Sequence, residues 1–143
     1  SLWFRSPATN SAWRTLLGWN QTTGPYPGIQ IATTGDGRMI ARMGNDTTDY
    51  YTTNRPDGDG RWHLLNVSRD TNGIQRVYFD GVRQVAYSVQ VPIGANHHLY
   101  LGRSFRPNSY FLNEHFRGAL DDVRIYGRVL TDEENWSLWA NSP

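Results

Sequence analysis

Apolar and polar residues alternate along much of this chain in short runs, and Gly, Asn and Asp interrupt the runs at regular intervals. A period of two puts alternate side chains on opposite sides of a pleated strand. The pattern is clearest in the middle of the sequence. Residues 62–69 and 75–80 predict two strands joined through Asn72-Gly73, whose residue types tolerate positive φ. His63, Leu65 and Val67 share one face and Asn66 and Ser68 the other; Val77 and Phe79 lie together, opposite Tyr78. Asp80-Gly81 turns the chain into a third strand over 83–89, which completes a meander.

The flanking sequence predicts further strands over 2–5, 14–19, 28–33, 38–43, 50–53, 98–102 and 116–126. Gly35-Asp36-Gly37 makes a hairpin of 28–33 and 38–43. Residues 20–28, 54–60 and 103–115 read as loops, and Asp57-Gly58-Asp59-Gly60 within them as a turn. Near the end, Thr131 followed three residues on by Glu134 is a capping box. It predicts one short helix to about residue 140, with Trp136 and Trp139 on one face. Many short strands with evenly spaced turns and one C-terminal helix give an all-β sandwich or jelly roll.

A chain of 143 residues makes one domain, 1–143, with room for a real core. The net charge is +1, and every basic residue is Arg, interleaved with acids. That distribution points away from nucleic acid and from membrane insertion. No apolar run reaches membrane length. The absence of Cys removes disulfides and thiolate chemistry. Asn-x-Ser/Thr occurs at Asn20, Asn45, Asn66 and Asn135, which in a chain rich in Asn and Thr reads as chance.

Three segments in order carry a family pattern: Asp59-Gly60-Arg61-Trp62-His63, then Val77-Tyr78-Phe79-Asp80-Gly81, then residues 118–126 (GALDDVRIY) running on to Glu134. Together they resemble the laminin G-like, concanavalin A-like lectin/glucanase superfamily. The resemblance implies a concanavalin A-like jelly-roll sandwich of two antiparallel sheets. It also implies an extracellular setting, secreted or at the cell surface, often as an accessory module of a polysaccharide-degrading enzyme, a sialidase-type enzyme or an adhesin. Family members usually carry some tens of residues, with at least one strand, ahead of the strand that 2–5 matches. The expectation is therefore an exposed edge at 2–5, paired or covered by a second copy, a partner chain or rearranged strands of this chain. The competing expectation is that the loop 20–28 covers it.

Asp121 is in phase with Ala119, Val123 and Ile125, so it is expected to face the core and to need a partner. The resemblance makes Asp121 a calcium ligand; the alternative is an Arg or backbone N–H partner. Asp122 is expected to hold a neighbouring loop. Sugar recognition needs flat aromatic faces and planar polar groups. The candidates are Trp19, Tyr26, Tyr50, Tyr51, Arg55, Arg103 and Tyr110. His63 is read as a structural histidine, since the four His residues have no metal-ligand spacing. The Glu residues are Glu114, Glu133 and Glu134, and two of these lie in the helix cap, so no strand carries the paired carboxylates of a glycosidase. The expectation is a non-catalytic, lectin-like module for a glycan or polysaccharide. The alternative is a structural or adhesion subunit that binds protein by an open edge.

Overall fold

The computed structural model describes residues 1–7, 13–20, 29–43, 50–52, 58–88, 98–103 and 115–141. In chain order the elements are β1 (Leu2–Arg5), β2 (Arg14–Asn20), β3 (Ile29–Thr33), β4 (Met39–Met43), β5 (Tyr50–Tyr51), β6 (His63–Arg69), β7 (Ile74–Phe79), β8 (Val82–Ser88), β9 (His98–Leu101), β10 (Ala119–Asp121) and α1 (Asp132–Ala140). The strands form two antiparallel five-stranded sheets. The first has the order β10-β1-β6-β7-β8 and the second β5-β4-β3-β2-β9. The mostly β architecture with one helix is the one that the alternation predicts.

The alternating residues meet between the sheets. Leu2, Phe4, Leu65, Val77 and Phe79 come from the first sheet and Leu16, Ile31, Met39 and Ala41 from the second. The β2–β3 register shifts between Thr15 and Leu17. Such an extra residue bends a strand and increases its twist, and Leu16 is fully buried there.

The central meander falls where its turns require. Gly73 and Gly81 take positive φ, and Asp80 joins them at φ 48°. The first sheet's outer face, however, is covered in part by the helix. Tyr78 is 2% exposed and donates its hydroxyl to Asp132 Oδ1 at 2.7 Å, which ties β7 to α1. A Cβ on Gly81 would meet Trp136 Cα at 3.0 Å, so the helix sits directly on the β7–β8 turn. The capping box is present, with Thr131 accepting from the Glu134 N–H. Asn66 and Asn135 are buried, which closes both as glycan acceptors.

Two expectations are corrected. The first is the open edge at 2–5. β1 is an interior strand, with Phe4 opposite Leu120 of β10 on one side and His63 of β6 on the other. The C-terminal strand folds back beside it, which alternation within either segment could not reveal. The second is the last strand, which covers only Ala119–Asp121 and runs in the opposite phase. Leu120 lies opposite Phe4 and packs against the core, whereas Asp121 lies opposite Trp3 and is exposed. Asp122 takes φ 46°, a left-handed conformation that ends the strand and its alternation. Asp121 is thus not a core-facing acid.

Candidate functional site

The outer face of the second sheet is built from alternate positions of five strands. Thr15, Gln30, Ala32 and Ile40 occupy its centre, all buried. Gln30 donates to the Thr15 hydroxyl at 2.9 Å, which satisfies both across β2 and β3. The accessible chemistry lies at the two rims.

On the β5 rim, Tyr51 lies opposite Ile40, and the Arg38 guanidinium stands over its ring at 4.6 Å. Asp36 holds that guanidinium through Nε at 2.7 Å. The hydrogen bond from Thr34 and the bonds and charge of Arg38 bring the Asp36 carboxyl down to about 2. On the β9 rim, Tyr100 lies opposite Gly18, with His98 two residues before it on the same face. Their rings are 6.4 Å apart, and Arg103 lies over Tyr100 at 5.3 Å. His98 and Arg103 are exposed and Tyr100 half-buried.

The sequence candidates are therefore divided. Tyr51 and Arg103 reach opposite rims, four strand spacings or about 19 Å apart. Trp19 pairs with Ile29 and Leu99 and faces the space between the sheets. There it lines a cavity of about 680 Å³. The backbone of Tyr50 pairs with Ala41. Tyr26, Arg55 and Tyr110 lie outside the described residues. Sequence reasoning missed Arg38, His98 and Tyr100. The alternation of His98 and Tyr100 was visible, but the side chain of Tyr100 gains its place from Gly18 on a strand far away in sequence.

A second polar cluster lies at the other end of the meander. His63 Nδ1 is 2.8 Å from Asp80 Oδ2 and Nε2 is 3.0 Å from Asp59 Oδ2. Its ring packs 5.0 Å from Phe79 and 5.7 Å from Phe4. Burial disfavours the imidazolium, but the hydrogen bonds and charges of Asp80 and Asp59 outweigh it and raise the pKa. Asp80 also accepts the Leu64 N–H at 2.9 Å. The cluster joins the 58–60 turn to the β7–β8 turn, a structural role that agrees with the sequence reading.

Around Asp121 the described polar groups bind one another. The Asp121 Oδ1 accepts the Asp122 N–H at 2.7 Å, and Asp122 in turn holds Arg124 at 2.7 and 2.6 Å. Among the described residues no three His, Asp or Glu side chains gather as a metal site, whereas calcium takes six to eight oxygens.

Several solved structures share this fold. One is the CBM40 module of the Ruminococcus gnavus IT-sialidase, at 15% identity and a TM-score of 0.70, covering 96% of this chain and 79% of that one. The same module bound to α2,6-sialyllactose matches with a TM-score of 0.74, the identity and coverage being the same. A leech intramolecular trans-sialidase, complexed with 2,7-anhydro-Neu5Ac, matches at 18% identity and a TM-score of 0.75 over 99% of this chain and 23% of its own. A heptameric SAP-like pentraxin from Limulus polyphemus matches at 13% identity and a TM-score of 0.72, over 96% and 68%. At these identities the likeness is one of fold. No curated protein matches the chain. The family model described as the concanavalin A-like lectin/glucanases superfamily matches residues 1–134, so the chain belongs to that superfamily.

Proposed function

We propose that this domain is a non-catalytic carbohydrate-binding module that takes an acidic, sialic acid-type sugar at the β9 rim. The observation that carries the reading is the Arg103 guanidinium held over the Tyr100 ring beside His98 on an exposed edge. The guanidinium is a planar fork of N–H donors that matches a carboxylate bidentately. His98 adds a polar group for hydroxyls. The shared fold with a sialidase module bound to sialyllactose supports the ligand class. The described Glu residues support the absence of catalysis: Glu133 and Glu134 both lie in α1, and Glu134 is committed to Arg128 at 2.6 Å and to the Thr131 N–H at 2.8 Å. On this reading the domain works outside the cell as an accessory part of a secreted or surface protein.

Titration calorimetry with 6′-sialyllactose and with lactose tests the proposal. The sialylated sugar should bind at least tenfold more tightly than lactose, and Arg103→Ala should erase that preference while leaving the melting temperature unchanged. Equal affinity for the two sugars, or binding that is indifferent to Arg103→Ala, would overturn it.

A further inference from the structure

The far end of β1, at Arg5, gathers a second group of exposed aromatic and basic side chains, on the other sheet from the β9 rim. Phe4 packs in the core, so Trp3 and Arg5 lie on the outer face of the first sheet. Two glycine-bearing segments close on the backbone of Arg5 and Ser6. On the β6 side the Gly60 N–H bonds the Ser6 carbonyl at 3.0 Å, which brings Arg61 and Trp62 alongside. On the β10 side Ala119 is opposite Arg5, and a Cβ on Gly118 would meet the Arg5 carbonyl oxygen at 2.2 Å, which brings Arg117 alongside. The Arg5 guanidinium stands over the Trp62 ring at 5.2 Å, and Trp62 is still 39% exposed. Arg5, Arg61 and Arg117 are all exposed.

These three arginines differ from others on the surface in what they hold. Arg38, Arg76, Arg83, Arg124 and Arg128 each have a carboxylate partner. Among the described residues the guanidinium groups of Arg5, Arg61 and Arg117 have none. Two described acids border the group. Asp59 is occupied by His63 at 3.0 Å and by the Arg61 N–H at 2.8 Å. Asp121 lies opposite Trp3 and accepts the Asp122 N–H. Three Arg against these two Asp leave a small positive excess around a flat apolar ring. The space beside that ring is open, since a Cβ on Gly60 would meet nothing within 4 Å.

We propose that this surface binds an acidic oligosaccharide through a hexuronic acid unit. The C–H face of the sugar ring lies on the exposed part of Trp62, and its carboxylate is taken by Arg5, with Arg61 and Arg117 supplying the surrounding positive charge. A hexuronic acid joins an apolar ring face and one carboxylate in a single flat unit, which is the pairing that Trp62 and Arg5 offer. The guanidinium fork matches a carboxylate bidentately, and its attraction to the indole keeps it at the ring. An excess of about one charge is small for a polyphosphate, whose binding draws on several neutralised phosphates. The patch therefore favours a sparsely charged sugar over nucleic acid. It lies on the other sheet from the β9 rim and does not rest on the sialic acid reading.

The probe is trigalacturonic acid, titrated into the nitrogen-15-labelled chain. The readout is the indole N–H of Trp62, identified by the loss of its signal in Trp62→Phe. That signal should shift saturably, and Arg5→Gln should weaken the binding at least tenfold while leaving the melting temperature unchanged. The trimethyl ester of the same sugar, uncharged but equally flat, should bind at least tenfold more weakly than the acid. A Trp62 signal unmoved by millimolar trigalacturonic acid would overturn the proposal, as would equal affinity for the ester or indifference to Arg5→Gln. Tighter binding of hexathymidylate than of trigalacturonic acid at the same signal would also overturn it, and would make the patch a nucleic-acid surface. A sugar held at the β9 rim does not touch the Trp62 indole, so the two sites stand or fall separately.

Discussion

His63 Nδ1 lies 2.8 Å from Asp80 Oδ2, across the base of the central hairpin. The relationship has a protonation requirement, because Asp59 occupies the other ring nitrogen at 3.0 Å. A neutral imidazole has one N–H and can donate to only one carboxylate; the imidazolium donates to both. The folded-state pKa of His63 is raised above 6.5. Its contribution is thus fully present below 6.5 and is lost as pH rises through the folded value. The Asp59 carboxyl is lowered: its burial works the other way, but the Arg61 N–H and His63 outweigh it. Its contribution is present above 3.8 and is lost as pH falls through the folded value. Melting temperature should therefore fall on the alkaline side of 6.5. His63→Phe should flatten that limb and cost about 2 kcal/mol by leaving both carboxylates without their donor. Calorimetric scans from mildly acidic to mildly alkaline pH check both statements.

Gly118 is exposed, yet a Cβ there would meet the Arg5 carbonyl oxygen at 2.2 Å and Phe116 ring carbons at 2.7 Å. Backbone cannot yield as a flexible side chain does. Gly118→Ala should push β10 away from β1 and cost about 3 kcal/mol or more, in the range of strained or overpacked sites. Urea unfolding reads the loss, with faster amide exchange at Phe4.

Gly81 has φ 75° and lies 3.0 Å, at its hypothetical Cβ, from Trp136 Cα. Gly81→Ala combines left-handed strain with a clash against α1, and about 2 kcal/mol is the expected cost. Trp136 and Trp139 pack with ring centroids 5.0 Å apart, so the near-ultraviolet circular dichroism of this pair should change with the helix. Trp136→Ala in the same background should recover part of the stability.

Thr131 accepts the Glu134 N–H while Glu134 accepts the Thr131 N–H and the Arg128 guanidinium. Thr131→Ala should cost about 1 kcal/mol, the usual worth of an N-cap. Arg128 and the Thr131 N–H bring the Glu134 carboxyl from 4.5 to about 2. The cap is therefore complete above 4.5 and opens only as pH falls toward 2, which helix circular dichroism against pH would show.

Calcium and chelator should give the same melting curve, because the described carboxylates near Asp121 supply too few oxygens for the ion. A calcium-dependent rise in melting temperature that Asp121→Asn abolishes would show the opposite.

Much of this fold was legible in the sequence because the signals are local. The alternation at Leu65, Val67, Val77 and Phe79 gave the inner face, the Asn72-Gly73 and Asp80-Gly81 pairs gave the turns, and Thr131 with Glu134 gave the helix start. Each depends on neighbours within a few residues. What lay beyond reach depends on contacts between distant segments. β1 is interior only because Ala119–Asp121 folds back beside it. The phase of that strand is set by Leu120 meeting Phe4, and the left-handed Asp122 ends an alternation that the sequence alone would extend to Tyr126. Tyr78 is buried because a helix more than fifty residues later lies over it. The candidate site divides in the same way. Aromatic and Arg residues could be named from composition, but which of them share a rim was decided by strand order. Tyr51 and Arg103 belong to opposite edges of one sheet, Trp19 faces inward by the parity of its pairing with Ile29, and Tyr100 stands over a glycine on β2. Alternation along a strand says that two faces exist; only packing between strands determines which residues from different strands come together on one of them.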